Sequence, residues 1–129
     1  MTVSICGLLL ILPSTRRIGL AASIANLTSH LIVQALKRSV VRPRPDESGV
    51  LSLALSPDAF SFPSGHACAA MALAVTVSFS NFSAGCFALG LALLVGASRV
   101  YLRVHYVSDV LAGQLLGAAA AVAVSLAFW

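Results

Sequence analysis

Residues 110–128 read VLAGQLLGAAAAVAVSLAF, nineteen positions with no charge and a single amide, Gln114. A helix that long covers about 28 Å, close to the thickness of a bilayer's hydrocarbon core. Gly113, Gly117 and Ala121 fall four apart, a spacing that lets one membrane helix lie close against another. Residues 18–36 form a second uncharged stretch of the same length. There Asn26, His30 and Gln34 recur every fourth position, and this polar stripe is expected to face the bundle interior, since lipid offers it no partner. Residues 66–79 are apolar and Ala-rich, with Ser64 placed to cap them. After a short connection at 80–84, an apolar run over 85–98 continues through Val104. The first run, 2–12, ends before Pro13 and is short for a span. The expected fold is all-α: a polytopic transmembrane helical bundle of about four full spans plus a short N-terminal apolar segment, forming one membrane-embedded domain over 1–129.

Composition agrees. Hydrophobic residues make up 59% of the 129 positions and charged residues 9%, against about 25% charged in soluble domains. Mean hydropathy is +0.97. A small soluble domain leaves too much surface in water to carry this balance, which excludes an ordinary soluble domain and a disordered chain. Cys6, Cys68 and Cys86 are odd in number and scattered through apolar stretches, so they form neither a disulfide framework nor a zinc pattern and are expected as small buried hydrophobes. Run 2–12 has no basic residue before it and no cleavage site, so it reads as a half-span or the remnant of a longer helix rather than a signal peptide.

The net charge is +4. Eight basic residues without a stripe do not suit nucleic acid. Six of them, Lys37, Arg38, Arg42, Arg44, Arg99 and Arg103, sit at the ends of apolar segments, while the only acids are Asp46, Glu47, Asp58 and Asp109. Alternating spans bring the polar stretch 37–62, the helix start at His66 and the turn at His105 to one membrane face. That face suits an anionic ligand or lipid headgroups. Within the stretch, Arg42-Pro43-Arg44-Pro45 reads as extended chain and 50–55 as a short interfacial element.

Three segments on this face carry chemistry. Lys37 is followed seven positions later by Arg44 and then Pro45. Pro63-Ser64-Gly65-His66 opens a helix, whose free N–H groups and positive dipole end attract anions. Ser98-Arg99 precedes His105, with Asp109 four positions further on. Arg99 offers a planar fork for phosphate, and the spacing lets the Asp109 carboxylate reach the His105 ring, fix its tautomer and support its charged form.

In these three segments, 37–45, 63–66 and 98–109, the chain resembles the type 2 phosphatidic acid phosphatase superfamily, with every signature position occupied in order. The soluble vanadium-dependent haloperoxidases share that signature but are far larger. The resemblance implies His105 as a nucleophile that forms a phosphohistidine, Asp109 as its orienting partner, and His66 as the general acid. It implies Lys37, Arg44, Ser64, Gly65 and Arg99 as the phosphate cradle. No cofactor and no metal are expected, because three cations and a helix N-terminus supply the charge that phosphoryl transfer needs. The implied substrate is a phosphate monoester or diphosphate on a lipid: a prenyl diphosphate, phosphatidic acid or phosphatidylglycerol phosphate. A phosphotransferase or lipid-headgroup synthase using the same site, and a catalytically silent membrane scaffold, are the alternatives.

The membrane branch usually has six spans with the signature on the last four, so either this is a minimal member or its N-terminal part is absent. The resemblance puts the site on the extracytoplasmic face of the cell membrane. The positive-inside rule reads the reverse, but cations that hold a ligand are unsafe topology markers, which leaves Arg16 and Arg17 to mark the cytoplasmic side. Outside the signature, His30 is expected as a satisfied interior histidine. Arg38, Arg42 and Arg103 are expected as interfacial anchors, and Tyr106 and Trp129 as members of the aromatic belt.

Overall fold

The computed structural model describes residues 2–11, 13–45 and 60–129. The element expected at 50–55 lies outside the described residues, as do Asp46, Glu47 and Asp58. The described residues form five helices: α1 (Thr2–Ile11), α2 (Arg16–Ser39), α3 (Gly65–Ser80), α4 (Phe82–Tyr101) and α5 (Val107–Phe128). The all-helical expectation holds. Three of them, α2, α4 and α5, are long and apolar enough to cross a membrane. At 16 residues α3 is shorter, about 24 Å of helix, and so falls outside that count.

Helix ends follow local chemistry. The connection expected over five residues shrinks to Asn81, whose side-chain oxygen accepts from the Ala84 N–H at 2.9 Å and caps α4. The run expected to continue through Val104 stops at Tyr101, because Arg103 takes a left-handed φ of 59° that no α-helix accommodates. That reversal turns the chain back toward the bundle just before His105.

α3 is the centre of the bundle and packs against each of the other four helices. Its neighbours come close because the contact residues are small: Ala25, Ala72 and Ala121 meet in one cluster, and Met71, Ala74 and Ala92 in another. The Gly113/Gly117 pair does what its spacing implies. A Cβ on Gly113 would strike the Ser64 carbonyl oxygen, and one on Gly117 would strike the Cys68 carbonyl oxygen. Backbone contact this close gives α5 a fixed position on α3 through packing, the main source of helix association in lipid. Outward faces carry Phe82, Phe87, Leu91 and Leu94 on α4 and Leu111, Leu115 and Leu126 on α5, a surface suited to acyl chains.

The face of α2 differs from the expected one. Ala21, Ala25, Ser29, Val33 and Lys37 form the buried stripe, one position behind Asn26, His30 and Gln34. Small side chains take the inner face because α3 and α5 approach there, and the polar stripe is turned about 100° away. His30 is consequently exposed rather than interior, with Gln34 Nε2 3.5 Å from its Nε2. Cys6 and Cys68 are buried as expected, whereas Cys86 is exposed on the outer face of α4.

Candidate active site

The C-terminal ends of α2 and α4 and the N-terminal ends of α3 and α5 meet at one end of the bundle. His105 lies in the turn before α5 and is 5% exposed. Its Nδ1 sits 2.7 Å from the carbonyl oxygen of Ser61. A carbonyl oxygen only accepts, so Nδ1 carries the proton and Nε2 keeps its lone pair. Asp109 is completely buried, and its Oδ2 lies 3.7 Å from the same Nδ1, an electrostatic contact beyond hydrogen-bond range. The sequence assigned the orienting hydrogen bond to the carboxylate. The structure gives it to the Ser61 backbone and leaves Asp109 as the nearby negative charge.

Asp109 is itself held firmly. Oδ2 accepts from the Tyr106 N–H at 2.9 Å, which closes a capping box at the start of α5. Oδ1 accepts from Arg42 Nη1 at 2.8 Å, and the same nitrogen lies 2.8 Å from Ser108 Oγ. The guanidinium carbon of Arg42 stands 4.3 Å above the Tyr106 ring. Arg42, expected as an interfacial anchor, is bonded to Asp109 at this end of the bundle, with Tyr106 as its platform and as the N-cap of α5. Nothing local signals this pairing, since its partners are 66 and 67 positions apart in sequence.

The other expected residues gather at the same end. Lys37 and Arg44 are buried, and Arg44 Nη1 donates to the Val104 carbonyl at 2.7 Å, next to His105. The Val104 N–H in turn donates to the Arg99 carbonyl at 3.2 Å. Ser64 caps α3 by position, and its N–H donates to the Asp109 carbonyl at 2.9 Å, tying the two helix starts together. Its Oγ is buried without a hydrogen-bond partner among the described residues, as is Arg99 Nε. His66 is exposed on the first turn of α3. A cleft of about 320 Å³ is lined by Lys37, Gly65, His66 and Gln34, among others. A larger cavity of about 420 Å³ adjoins it beside α1 and shares His30, Val33 and Gly65 with the cleft.

Burial pushes the His105 pKa down to about 4, and the Arg44 and Lys37 charges push the same way. The Ser61 carbonyl and the Asp109 carboxylate oppose them without prevailing. His105 is thus a neutral imidazole at physiological pH.

A match to the PAP2 superfamily runs over residues 18–129, from near the start of α2 to the end of the chain. The chain belongs to that superfamily. Among its relatives is the decaprenylphosphoryl-5-phosphoribose phosphatase of Mycobacterium tuberculosis, 36% identical over 83% of this chain and 59% of the relative. Another is the undecaprenyl-diphosphatase of Sulfolobus acidocaldarius, 34% identical over 89% of this chain and 57% of the relative. The crystal structure of a transmembrane PAP2-type phosphatidylglycerolphosphate phosphatase from Bacillus subtilis superposes with a TM-score of 0.72 at 31% identity. It does so over 95% of this chain and 64% of that one. This PAP2 chain is a helical membrane protein, and it spans less than two thirds of the length of each of these relatives.

Proposed function

We propose that the chain is a single membrane-embedded phosphatase domain that hydrolyses a phosphate monoester or diphosphate on a lipid. The observation that carries this reading is the state of His105: neutral, buried, and pinned through Nδ1 so that Nε2 keeps its lone pair. Nε2 attacks the terminal phosphorus, the bond from that phosphorus to its bridging oxygen breaks, and His66 donates a proton to that oxygen, so that a lipid alcohol leaves from a monoester and a lipid monophosphate from a diphosphate. Water then attacks the phosphohistidine, giving its proton to His66, and inorganic phosphate leaves as the P–N bond breaks. Asp109 stabilises the imidazole as positive charge develops on it. Lys37, Arg44 and Arg99, with Ser64 Oγ and the Gly65 N–H, hold the phosphoryl oxygens; the orphaned Ser64 and Arg99 atoms support that assignment.

In this reading α3 is the fourth span, and the site opens on the extracytoplasmic face of the cell membrane. Arg16 and Arg17 then lie at the opposite end. The cleft at Lys37 and His66 receives the headgroup, and the adjoining cavity gives an apolar tail a place to lie. A prenyl-linked phosphate is the favoured substrate, on the strength of the relatives that act on decaprenyl- and undecaprenyl-carried groups. The test is phosphate release in detergent with EDTA present, comparing prenyl diphosphate, phosphatidic acid and phosphatidylglycerol phosphate. Release by the wild-type protein and not by His105→Ala is the expected result, with the prenyl substrate fastest. Absence of release from a folded, inserted protein on all three substrates sinks the proposal.

A further inference from the structure

Around the proton-bearing side of His105 the contacts close into a ring, and Arg42 occurs in it twice. Its backbone carbonyl accepts from the Ser61 N–H at 3.0 Å and from Ser61 Oγ at 3.3 Å. Its guanidinium donates to Asp109 Oδ1 at 2.8 Å. Ser61 O and Asp109 Oδ2 are the two acceptors that face Nδ1, at 2.7 and 3.7 Å. One residue therefore holds both groups on that side of the ring: through its main chain the Ser61 carbonyl that fixes the tautomer, and through its side chain the Asp109 carboxylate that lies beside it.

We propose that Arg42 is a positioning residue: it fixes Ser61 and Asp109 against Nδ1 of His105, and it acts on the reaction through Asp109 rather than by touching phosphate. This rests on the assignment of His105 as the nucleophile. The side chain is committed to this task, because one nitrogen bridges Ser108 Oγ and Asp109 Oδ1 while the guanidinium lies over Tyr106. Its charge also offsets that of Asp109. Among the described residues, the other charged and titratable groups at this end are Lys37 and Arg38 on α2, Arg44 in the following loop, His66 on α3, Arg99 on α4, and Arg103 and Tyr106 in the turn before α5. With the Arg42 charge removed, Asp109 faces His105 less compensated, and protonation of the imidazole becomes easier.

The experiment pairs turnover with a histidine NMR titration in detergent, which reads the ring whether or not the protein turns over. For Arg42→Gln the expected result is a kcat lower by about tenfold to hundredfold with KM within about twofold, the pattern of a misoriented reacting group. The His105 titration should move up by about one pH unit. The double variant Arg42→Gln/Asp109→Asn should be no slower than Asp109→Asn alone, because both remove one unit of action. Arg42→Lys, which keeps the charge, should leave the titration where it is in the wild type. A raised KM with unchanged kcat would overturn the proposal and make Arg42 a phosphate ligand. An unmoved titration in Arg42→Gln, or losses that multiply in the double variant, would overturn it as well. Failure of the nucleophile assignment shows separately, as phosphate release that survives His105→Ala.

Discussion

The turn at 102–106 and the start of α3 each bring a histidine to the same end of the bundle, in opposite surroundings. His105 is buried, with its ring fixed by Ser61 and its carboxylate neighbour fixed by Arg42 and the Tyr106 N–H. His66 stands exposed on a first helical turn, beside a Ser64 hydroxyl that has no protein partner among the described residues. The first region is closed on itself and the second is open to a ligand. A nucleophile benefits from a single orientation and a constant neutral state, whereas a general acid must exchange protons with water in every cycle.

The largest expected effect breaks that comparison directly. His105→Ala should lower phosphate release by about 10⁴-fold and His66→Ala by about 10²- to 10⁴-fold, measured on a lipid monoester. A phosphate ester with an acidic leaving group, a nitrophenol for instance, should restore much of the His66→Ala rate and none of the His105→Ala rate. Equal rescue of both variants would remove the distinction between the two histidines.

Next in size is the contact that holds the two regions together. Gly117→Val places side-chain atoms against the Cys68 carbonyl, with Ala72 N only 3.1 Å from the new Cβ. The α3 backbone cannot yield, so α5 should shift and stability should fall by about 2–3 kcal/mol, read by unfolding in mixed micelles. Gly90 on α4 has nothing within 4 Å of such a Cβ, so Gly90→Ala should leave the unfolding midpoint in place or raise it slightly. A similar loss at both positions would mean that the α3–α5 contact is not special.

How much of this was readable beforehand follows the range of the interactions. The residues expected to form the cradle and the histidines lie in short segments whose order survives without any knowledge of packing, and the Gly113/Gly117 spacing states its own purpose. The bond of Arg42 to Asp109 was not legible because its partner lies 67 positions away. Ser61 was invisible because it acts through a main-chain carbonyl that every residue type carries. The inner face of α2 was misassigned by one position because polarity pointed to Asn26, His30 and Gln34, while close approach by α3 and α5 favoured the small residues beside them.

A smaller effect should appear in pH. His105 titrates near 4 in the folded protein against an ordinary 6.5. Above pH 6.5 it is neutral both folded and unfolded and contributes no pH dependence. Below 6.5 the unfolded chain takes up a proton that the folded site refuses, so stability should decline as pH falls from about 6.5 toward 4. The acid limb of kcat/KM set by His105 should likewise lie near pH 4 to 5, and a limb at 6.5 would contradict the burial of the ring.

The smallest change is the most discriminating, because its two readouts should move in opposite directions. Ser64 Oγ is fully buried at an N-cap position yet bonds to no described residue, while most such hydroxyls accept from the helix they cap. A buried hydroxyl without a partner costs the fold about 1–3 kcal/mol, so Ser64→Ala should leave the unfolding midpoint unchanged or raise it. If the hydroxyl is kept for a phosphoryl oxygen, the same substitution should lower kcat/KM by about tenfold to hundredfold, the value of one hydrogen bond to a charged group. Asp109→Asn, on the closed side of the site, should cost both stability and turnover, because its carboxylate is already occupied by Arg42 and Tyr106. Ser64→Ala that loses stability together with activity would place its hydroxyl in the architecture instead, and the open side of the site would then need another group to meet the phosphate.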